Sequence, residues 1–312
     1  MIGIQDIGIY IPEKKVDNLT RLSEFETDEA FIREKTGMLQ VAHKSDDQET
    51  SDLGIAALAD LVARTGLELD EIQCLVVCTQ NPDGHGLPHT SAIVHGKAGL
   101  SRDCAVFDVS LGCSGYVYGL SIMKGFMEVN GYNKGVLITA DPYSKVVDEN
   151  DKNTALLFGD GATATLLSDK PKWNIGKFLF GSDGKHAGAI EVDDTGELHM
   201  DGRGVFNFTA TVVPKNIRDT LMSNEVDVDE IDLFVLHQGS RYIRDTLVKR
   251  LKVAPEKVPF AANAYGNTVS SSIPMILADV DHDVPRILIS GFGVGLSWGS
   301  CVLTTALRDT RG

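Results

Sequence analysis

Hydrophobic and polar positions follow different periods in different parts of the chain. Met1 to Pro12 alternates Ile4, Ile7, Ile9 and Ile11 with small or polar neighbours, which predicts an opening strand. Ile72 to Cys78 is a short, largely apolar run of the kind that forms a strand buried on both faces, and Gly135 to Ala140 predicts another strand. Ser51 to Thr65 spaces Leu53, Ala56, Ala57, Leu61 and Val62 as one face of a helix, with Ser51 placed to cap it. Asp28 to Gly37 predicts a short helix closed by glycine, and His89 to about Gly99 another. Asn81-Pro82-Asp83-Gly84-His85-Gly86-Leu87-Pro88 is a loop of turn formers. Phe107 to Leu111 reads as a strand that runs into Gly112-Cys113-Ser114-Gly115, and Tyr116 to Met123 reads as a buried helix. Cys113 therefore stands at a strand-to-helix elbow.

The second half of the chain repeats this order after a linker at Ser168 to Trp173. Ile175 to Phe180 matches the opening strand, and a helix around Val213 to Leu221 matches Ser51 to Thr65. Asp70-Glu71-Ile72 before Leu75-Val76-Val77 reappears as Asp229-Glu230-Ile231 before Phe234-Val235-Leu236. Gly112-Cys113 corresponds to Gly266-Asn267, and Val136-Leu137-Ile138 to Ile287-Leu288-Ile289. The strand after Gly161 corresponds to Ser300 to Thr304, after Gly299. Two related halves, 1–168 and 174–312, of alternating strands and helices imply an α/β fold with mostly buried sheets.

Composition narrows the function classes. A chain of 312 residues, 43% hydrophobic and 23% charged, suits a folded soluble protein. Its formal net charge of −15 disfavours nucleic acid and anionic lipid as partners. The opening segment lacks the basic start and cleavage site of a signal peptide, and no apolar run approaches the roughly 18 residues of a membrane span. Five cysteines without a Cys-x-x-Cys pair suit a reducing cytoplasm, with Cys74, Cys78 and Cys301 in buried strands. His85 and His89 lack a third ligand nearby, so no metal site is expected. The glycines of Phe158-Gly159-Asp160-Gly161-Ala162 lead into a strand without a following Lys-Ser/Thr, which indicates a tight turn and not a phosphate loop.

The chemistry gathers at strand ends. A thiol at a helix start faces unpaired backbone N–H groups that favour the nucleophilic thiolate, although an inert buried cysteine fits the same segment. His237 follows Leu233-Phe234-Val235-Leu236, and Asn267 occupies the elbow equivalent to that of Cys113. Each alone fits a structural role: a backbone-bonded histidine, or an asparagine turn or cap. A pseudo-two-fold would bring Cys113 and Asn267 toward one axis, and a cysteine nucleophile with histidine and asparagine partners is an established chemical arrangement.

At these residues the chain resembles the β-ketoacyl-acyl-carrier-protein synthase III family of the thiolase-fold superfamily. The resemblance rests on Asp108 to Gly115, Phe158 to Ala162, His237-Gln238, Tyr265 to Thr268 and Gly291 to Gly299. It implies five layers, α/β/α/β/α, a homodimer, and two-step chemistry in which Cys113 takes an acyl group from a thioester. A malonyl thioester then loses carbon dioxide and attacks the acyl-cysteine, while His237 and Asn267 hydrogen-bond the developing oxyanion. The backbone N–H of Cys113 and one in Gly293-Val294-Gly295, taken as Val294, would form the oxyanion hole. The substrates would be acyl-coenzyme A and a malonyl thioester, with acyl carrier protein as partner and no permanently bound cofactor.

The same resemblance marks departures. Phe31 stands where members carry an adenine-stacking tryptophan, and Lys35 and Lys152 where they carry arginines; lysine cannot form a bidentate fork. Arg203 replaces an asparagine, Tyr242 replaces a basic residue, and Leu87 stands where members close the acyl pocket across the dimer. A smaller residue there points to a primer other than acetyl-coenzyme A. Arg241, Arg244, Lys249 and Arg250 offer a patch for an acidic carrier, or simply a solvated helix face. Acyl transfer without decarboxylation, and a non-catalytic partner subunit, are the competing readings. A hydroxymethylglutaryl-type condensation is disfavoured by Gln80 where that branch places a glutamate.

Overall fold

A computed structural model describes residues 1–281 and 283–306; the end of the expected C-terminal half, 307–312, lies outside them. The first half contains β1 (Gly3–Tyr10), β2 (Lys15–Asp17), β3 (Gln40–Ala42), α1 (Thr50–Thr65), β4 (Cys74–Cys78), α2 (Thr90–Ala98), β5 (Ala105–Val109), α3 (Gly115–Asn130), β6 (Lys134–Ala140), α4 (Lys152–Ala155) and β7 (Ala162–Ser168). The second contains β8 (Trp173–Ser182), β9 (Ile190–Val192), β10 (Leu198–Met200), α5 (Gly202–Ser223), β11 (Leu233–Leu236), α6 (Arg241–Leu251), α7 (Ser272–Leu277), β12 (Arg286–Gly293) and β13 (Ser297–Thr305).

The main sheet runs β11-β12-β13-β8-β1-β7-β6-β4-β5. Its order reads alike outward from the centre. β1, β7, β6 and β4 mirror β8, β13, β12 and β11, with a parallel pair at β6–β4 and at β12–β11. β1 and β8 meet through only Gly3–Asn174 and Ile4–Trp173, so the two halves of the sheet join at one corner. The repeat extends to detail: Glu68 with Glu71 before β4, and Asp227 with Glu230 before β11, form the same reciprocal capping pair. β5 has no strand counterpart in the second half among the described residues.

Burial explains the layering. Tyr116, Val117 and Leu120 of α3 and Ile273 and Ile276 of α7 share one core with Val76 and Leu137 of the first half and Ile287, Ile289 and Cys301 of the second. α3 and α7 thus lie between the two halves of the sheet. α1 buries Leu53, Ala57 and Leu61 on the outer face of the first half, and α5 and α6 bury Val213, Ile217, Leu247 and Leu251 on that of the second. The result is α/β/α/β/α. β4 is buried throughout and β6 from Gly135 to Ala140, as strands covered on both faces require. Among the described residues no helix is long and apolar enough to cross a membrane.

Two local expectations change. α1 is capped by Glu49, paired with Asp52, because Ser51 is drawn away to Asp83 through its N–H and its hydroxyl. The helix expected over Asp28–Gly37 is a π-helical turn, Phe31–Thr36, closed by Gly37 at φ +76°.

Candidate active site

The elbow after β5 is seated on the backbone of β12. A Cβ on Gly291 would lie 2.8 Å from the Cys113 carbonyl oxygen, and one on Gly293 would lie 2.7 Å from both Cβ and Sγ of Cys113. Glycine is needed at both because the backbone of one half approaches the nucleophile loop of the other. The Ser114 and Ser297 hydroxyls, 2.7 Å apart, tie the two halves beside the thiol. Ser297 Oγ also donates to Val294 O at 2.8 Å, fixing the turn whose Val294 N–H faces the thiol.

The position of Asn267 depends on the glycine motif of the first half. Asn267 N–H donates to Leu157 O at 2.8 Å, Gly159 N–H donates to Asn267 O at 3.0 Å, and Phe158 pairs with Asn267 as an isolated parallel bridge. A side chain on Gly159 would strike Tyr265 O. Asp160, fully buried, accepts from Lys44 N–H at 2.8 Å and from the N–H and hydroxyl of Ser144 at 3.1 and 2.5 Å. Phe158 to Ala162 is therefore a structural clamp that carries the elbow of the second half to that of the first. Val269 N–H donates to Asn267 Oδ1 at 2.9 Å, which leaves the amide NH2 for the cavity.

His237 leaves the end of β11 with its N–H on Ser290 O at 2.9 Å. Its ring stands edge-on to Phe292 at 5.5 Å, and Nδ1 is 2.8 Å from Ser272 Oγ. Cys113, His237 and Asn267 line one cavity of about 470 Å³, a volume suited to a small-molecule site. All three are buried, Cys113 to 6% exposure.

That burial decides the resting charges. It pushes the Cys113 thiol up to about 12, against the lowering effect of the Val294 N–H and of its own N–H. The thiolate preference expected from the helix start is overturned, since desolvation outweighs the backbone donors. Burial likewise drops His237 to about 3, so its imidazole is neutral at physiological pH. Asp141, just past β6, is raised to about 7 by burial. Its Oδ1 accepts from Gln80 N–H, Asn81 Nδ2 and the Thr79 hydroxyl at 3.0, 3.0 and 3.4 Å, and its Oδ2 has no partner among the described residues.

The other expected substrate residues divide. Phe31, Lys35 and Arg203 line the cavity mouth with Phe206 and Tyr242. Tyr242 stacks on Phe206 at 5.1 Å, Lys35 Nζ lies 4.0 Å from the Tyr242 ring centre, and Lys152 Nζ lies 5.5 Å from that of Phe31. Lys152 is thus beside the mouth without lining it. Leu87 is 92% exposed and does not line this chain's cavity. On α6, Lys249 and Arg250 are exposed and Arg241 lies 4.8 Å over the Phe260 ring. Arg244 is committed internally, to Val258 O, Pro255 O and Asp245, each at 2.7 Å. Sequence reasoning missed Val269, Ser272 and Asp141. Ser272 sits in a run of three serines with nothing to distinguish it. Among the described residues no group of three or more His, Cys, Asp or Glu could hold a metal ion.

The family model described as 3-Oxoacyl-[acyl-carrier-protein (ACP)] synthase III matches residues 107–184, and that of its C-terminal part matches residues 221–305. A curated relative, the β-ketoacyl-[acyl-carrier-protein] synthase III of Streptococcus gordonii, is 33% identical, covering 96% of this chain and 98% of its own. A crystal structure of a 3-oxoacyl-(acyl-carrier-protein) synthase III superposes with TM-score 0.91 at 31% identity, covering 97% of this chain and 99% of the other. The Thermus thermophilus β-ketoacyl-[acyl carrier protein] synthase III does so with TM-score 0.91 at 30% identity, covering 98% and 100%. The chain belongs to the 3-oxoacyl-[acyl-carrier-protein] synthase III family of the thiolase fold.

Proposed function

We propose that this protein condenses an acyl thioester primer with a malonyl thioester, with loss of carbon dioxide, through an acyl-Cys113 intermediate. The observation that carries the reading is the convergence of a thiol facing backbone N–H groups with a neutral histidine and an oriented asparagine in one buried cavity. In the first half-reaction Cys113 Sγ attacks the thioester carbon, and the oxyanion forms against the N–H groups of Cys113 and Val294. Collapse breaks the bond to the donor sulfur, and the departing thiol takes up the proton that Cys113 gives away. Preaimed donors of this kind contribute about 3–4 kcal/mol each to such a step.

In the second half-reaction the malonyl carboxylate leaves as carbon dioxide, and its bonding pair becomes the enolate. His237 and Asn267 hydrogen-bond the enolate oxygen. The enolate carbon attacks the acyl-cysteine, giving the 3-oxoacyl thioester and returning the sulfur to its resting thiol with a proton from solvent. Decarboxylation supplies the carbanion, so no carboxylate base is required, and the scheme needs no permanently bound cofactor.

Coenzyme A and acyl carrier protein are the donors this reading assigns, with Phe31, Lys35 and Arg203 at the mouth and Lys152 beside it. Lys249, Arg250 and Arg241 would meet an acidic carrier. Exposed Leu87 suits the expected homodimer, in which it would close the primer pocket of a second copy, in a cytoplasmic setting. Intact-mass measurement with acyl-coenzyme A donors of graded length tests the covalent step. An adduct lost in Cys113→Ala supports it; no adduct with any donor, or one that persists in the variant, overturns it.

A further inference from the structure

The glycines of β12 seat the nucleophile elbow from one side, and a cysteine of the first half closes on it from the other. Cys78 ends β4, between Val109 of β5 and Thr139 of β6, and is fully buried. Its Sγ donates to Leu111 O at 3.2 Å. A carbonyl can only accept, so the direction of this hydrogen bond is fixed. Among the described residues no backbone N–H reaches Leu111 O, and the thiol is its one donor.

The same sulfur packs against the far end of the elbow. A Cβ on Gly115 would lie 2.4 Å from Cys78 Sγ, so the glycine that starts α3 leaves the space the sulfur fills. Gly115 N–H donates to Gly112 O at 2.7 Å and closes the turn around Cys113. One sulfur atom thus meets that turn on both sides of the nucleophile, at Leu111 and at Gly115. Gln80, close behind on the same chain segment, meets its middle: a Cβ on Gly112 would lie 2.4 Å from Gln80 Oε1.

Apart from Cys113 itself, side-chain hydrogen bonds tie residues 111–115 to the rest of the described chain at two points. Cys78 holds Leu111 in the first half, and Ser297 holds Ser114 in the second. Burial raises the Cys78 thiol well above its ordinary range, with the charges of Asp141 and Asp108 adding to the effect, so it remains an S–H donor through neutral pH. Serine at this position would keep a donor on a shorter bond, and alanine would lose both the donor and the filling. The geometry points to Cys78 as a positioning residue for acylation: its bond to Leu111 O and its packing against Gly115 fix the elbow that presents the Cys113 thiol and N–H to the cavity. The role rests on the reading of Cys113 as the acylated nucleophile and is independent of the malonyl step.

Infrared spectroscopy in the S–H stretching region reads the hydrogen bond without substrate. The expected wild-type spectrum has a band shifted below the free-thiol frequency, and Cys78→Ser removes it. Intact-mass loading with an acyl-coenzyme A donor reads the role, with the maximal rate constant, the half-saturating donor concentration and the final adduct fraction followed separately. Cys78→Ala should lower the maximal rate constant about tenfold, a fraction of the roughly 10²-fold that about 1 Å of misplacement costs, and leave half-saturation within about twofold. Cys78→Ser, which keeps the donor, should load within about threefold of wild type. A merely structural role predicts the reverse for Cys78→Ala, with fewer molecules loaded and each at the wild-type rate constant. That result, a folded Cys78→Ala that loads like wild type, or a wild-type spectrum without the shifted band overturns the assignment. The wild-type spectrum decides even where Cys78→Ala fails to fold. A wild type that no donor acylates sinks the proposed reaction, and the role in loading with it, while the band still reports the tie to Leu111.

Discussion

Gly293→Ala adds one methyl group directly against the nucleophile. The new Cβ would lie 2.7 Å from both Cβ and Sγ of Cys113, whereas carbon atoms settle about 3.5–4.0 Å apart. Relief therefore requires about 1 Å of displacement of the thiol or of β12. The cysteine loop cannot slide along the strand, because Gly291 already abuts the Cys113 carbonyl. A misplacement of about 1 Å costs about 10²-fold in rate, equivalent to about 2.7 kcal/mol. The assay is the second-order rate of Cys113 acylation by intact mass, with thermal unfolding measured alongside. Gly125→Ala is the control: it lies on α3, which starts at the same elbow, and its Cβ would meet nothing within 4 Å. It should load at the wild-type rate and gain up to about 1 kcal/mol from helix propensity. Wild-type loading by a folded Gly293→Ala protein would refute the claim that this glycine defines the seat of the thiol.

Further predictions follow from the buried charges and clamps. With the thiol near 12, the thiolate fraction and hence Cys113 loading should rise about tenfold per pH unit from pH 6 to 9. A plateau near pH 7 would show a much lower thiol pKa. His237, near 3, is neutral throughout that range, so stopped-flow decarboxylation should show no inflection near 6.5. Asp141 has a folded pKa of about 7, above its unfolded value, so its contribution is fully present below about pH 4 and is lost as pH rises to 7. The loss is at most about 4 kcal/mol, and Asp141→Asn should flatten that slope in urea titrations between pH 4 and 8. Asp160→Ala leaves the N–H groups of half-buried Lys44 and Ser144 without their acceptor and should cost about 1–3 kcal/mol by urea unfolding, with loss of condensation as Asn267 shifts.

The largely apolar runs at Cys74–Cys78 and Gly135–Ala140 identify themselves as buried strands because both faces are covered. The alternation before Pro12 does the same for β1. The repeat was legible because each half must solve the same packing problem, down to the paired acidic caps at Glu68/Glu71 and Asp227/Glu230. It also placed Cys113 and Asn267 on corresponding elbows. What the chain alone hid depends on neighbours distant in sequence. Ser51 fits a cap until Asp83, across a loop, competes for it. The glycines of Phe158 to Ala162 signal a turn, but the close approach of Gly159 to Tyr265 belongs to the assembled halves. The Cys113 thiol looked activated because a helix start is local, whereas the desolvation that outweighs it comes from both halves closing over the site. Likewise Lys35 is read only as a stand-in for an arginine until Tyr242 is seen beneath it.

The central claim is that one cavity first stores an acyl group on Cys113 and then spends it on a malonyl-derived enolate. A single-turnover experiment tests this most directly: enzyme preloaded with an acyl group is mixed with malonyl-carrier protein. Carbon dioxide, the 3-oxoacyl product and the remaining Cys113 adduct are followed together by quenched mass spectrometry. The account predicts that adduct disappears as product appears, one for one, with carbon dioxide released in equal amount. His237→Ala and Asn267→Ala should retain the adduct and decarboxylate about 10²–10³-fold more slowly. An adduct inert to malonyl donors but passed to a hydroxyl or amine acceptor, or variants of His237 and Asn267 that condense as fast as wild type, would contradict it.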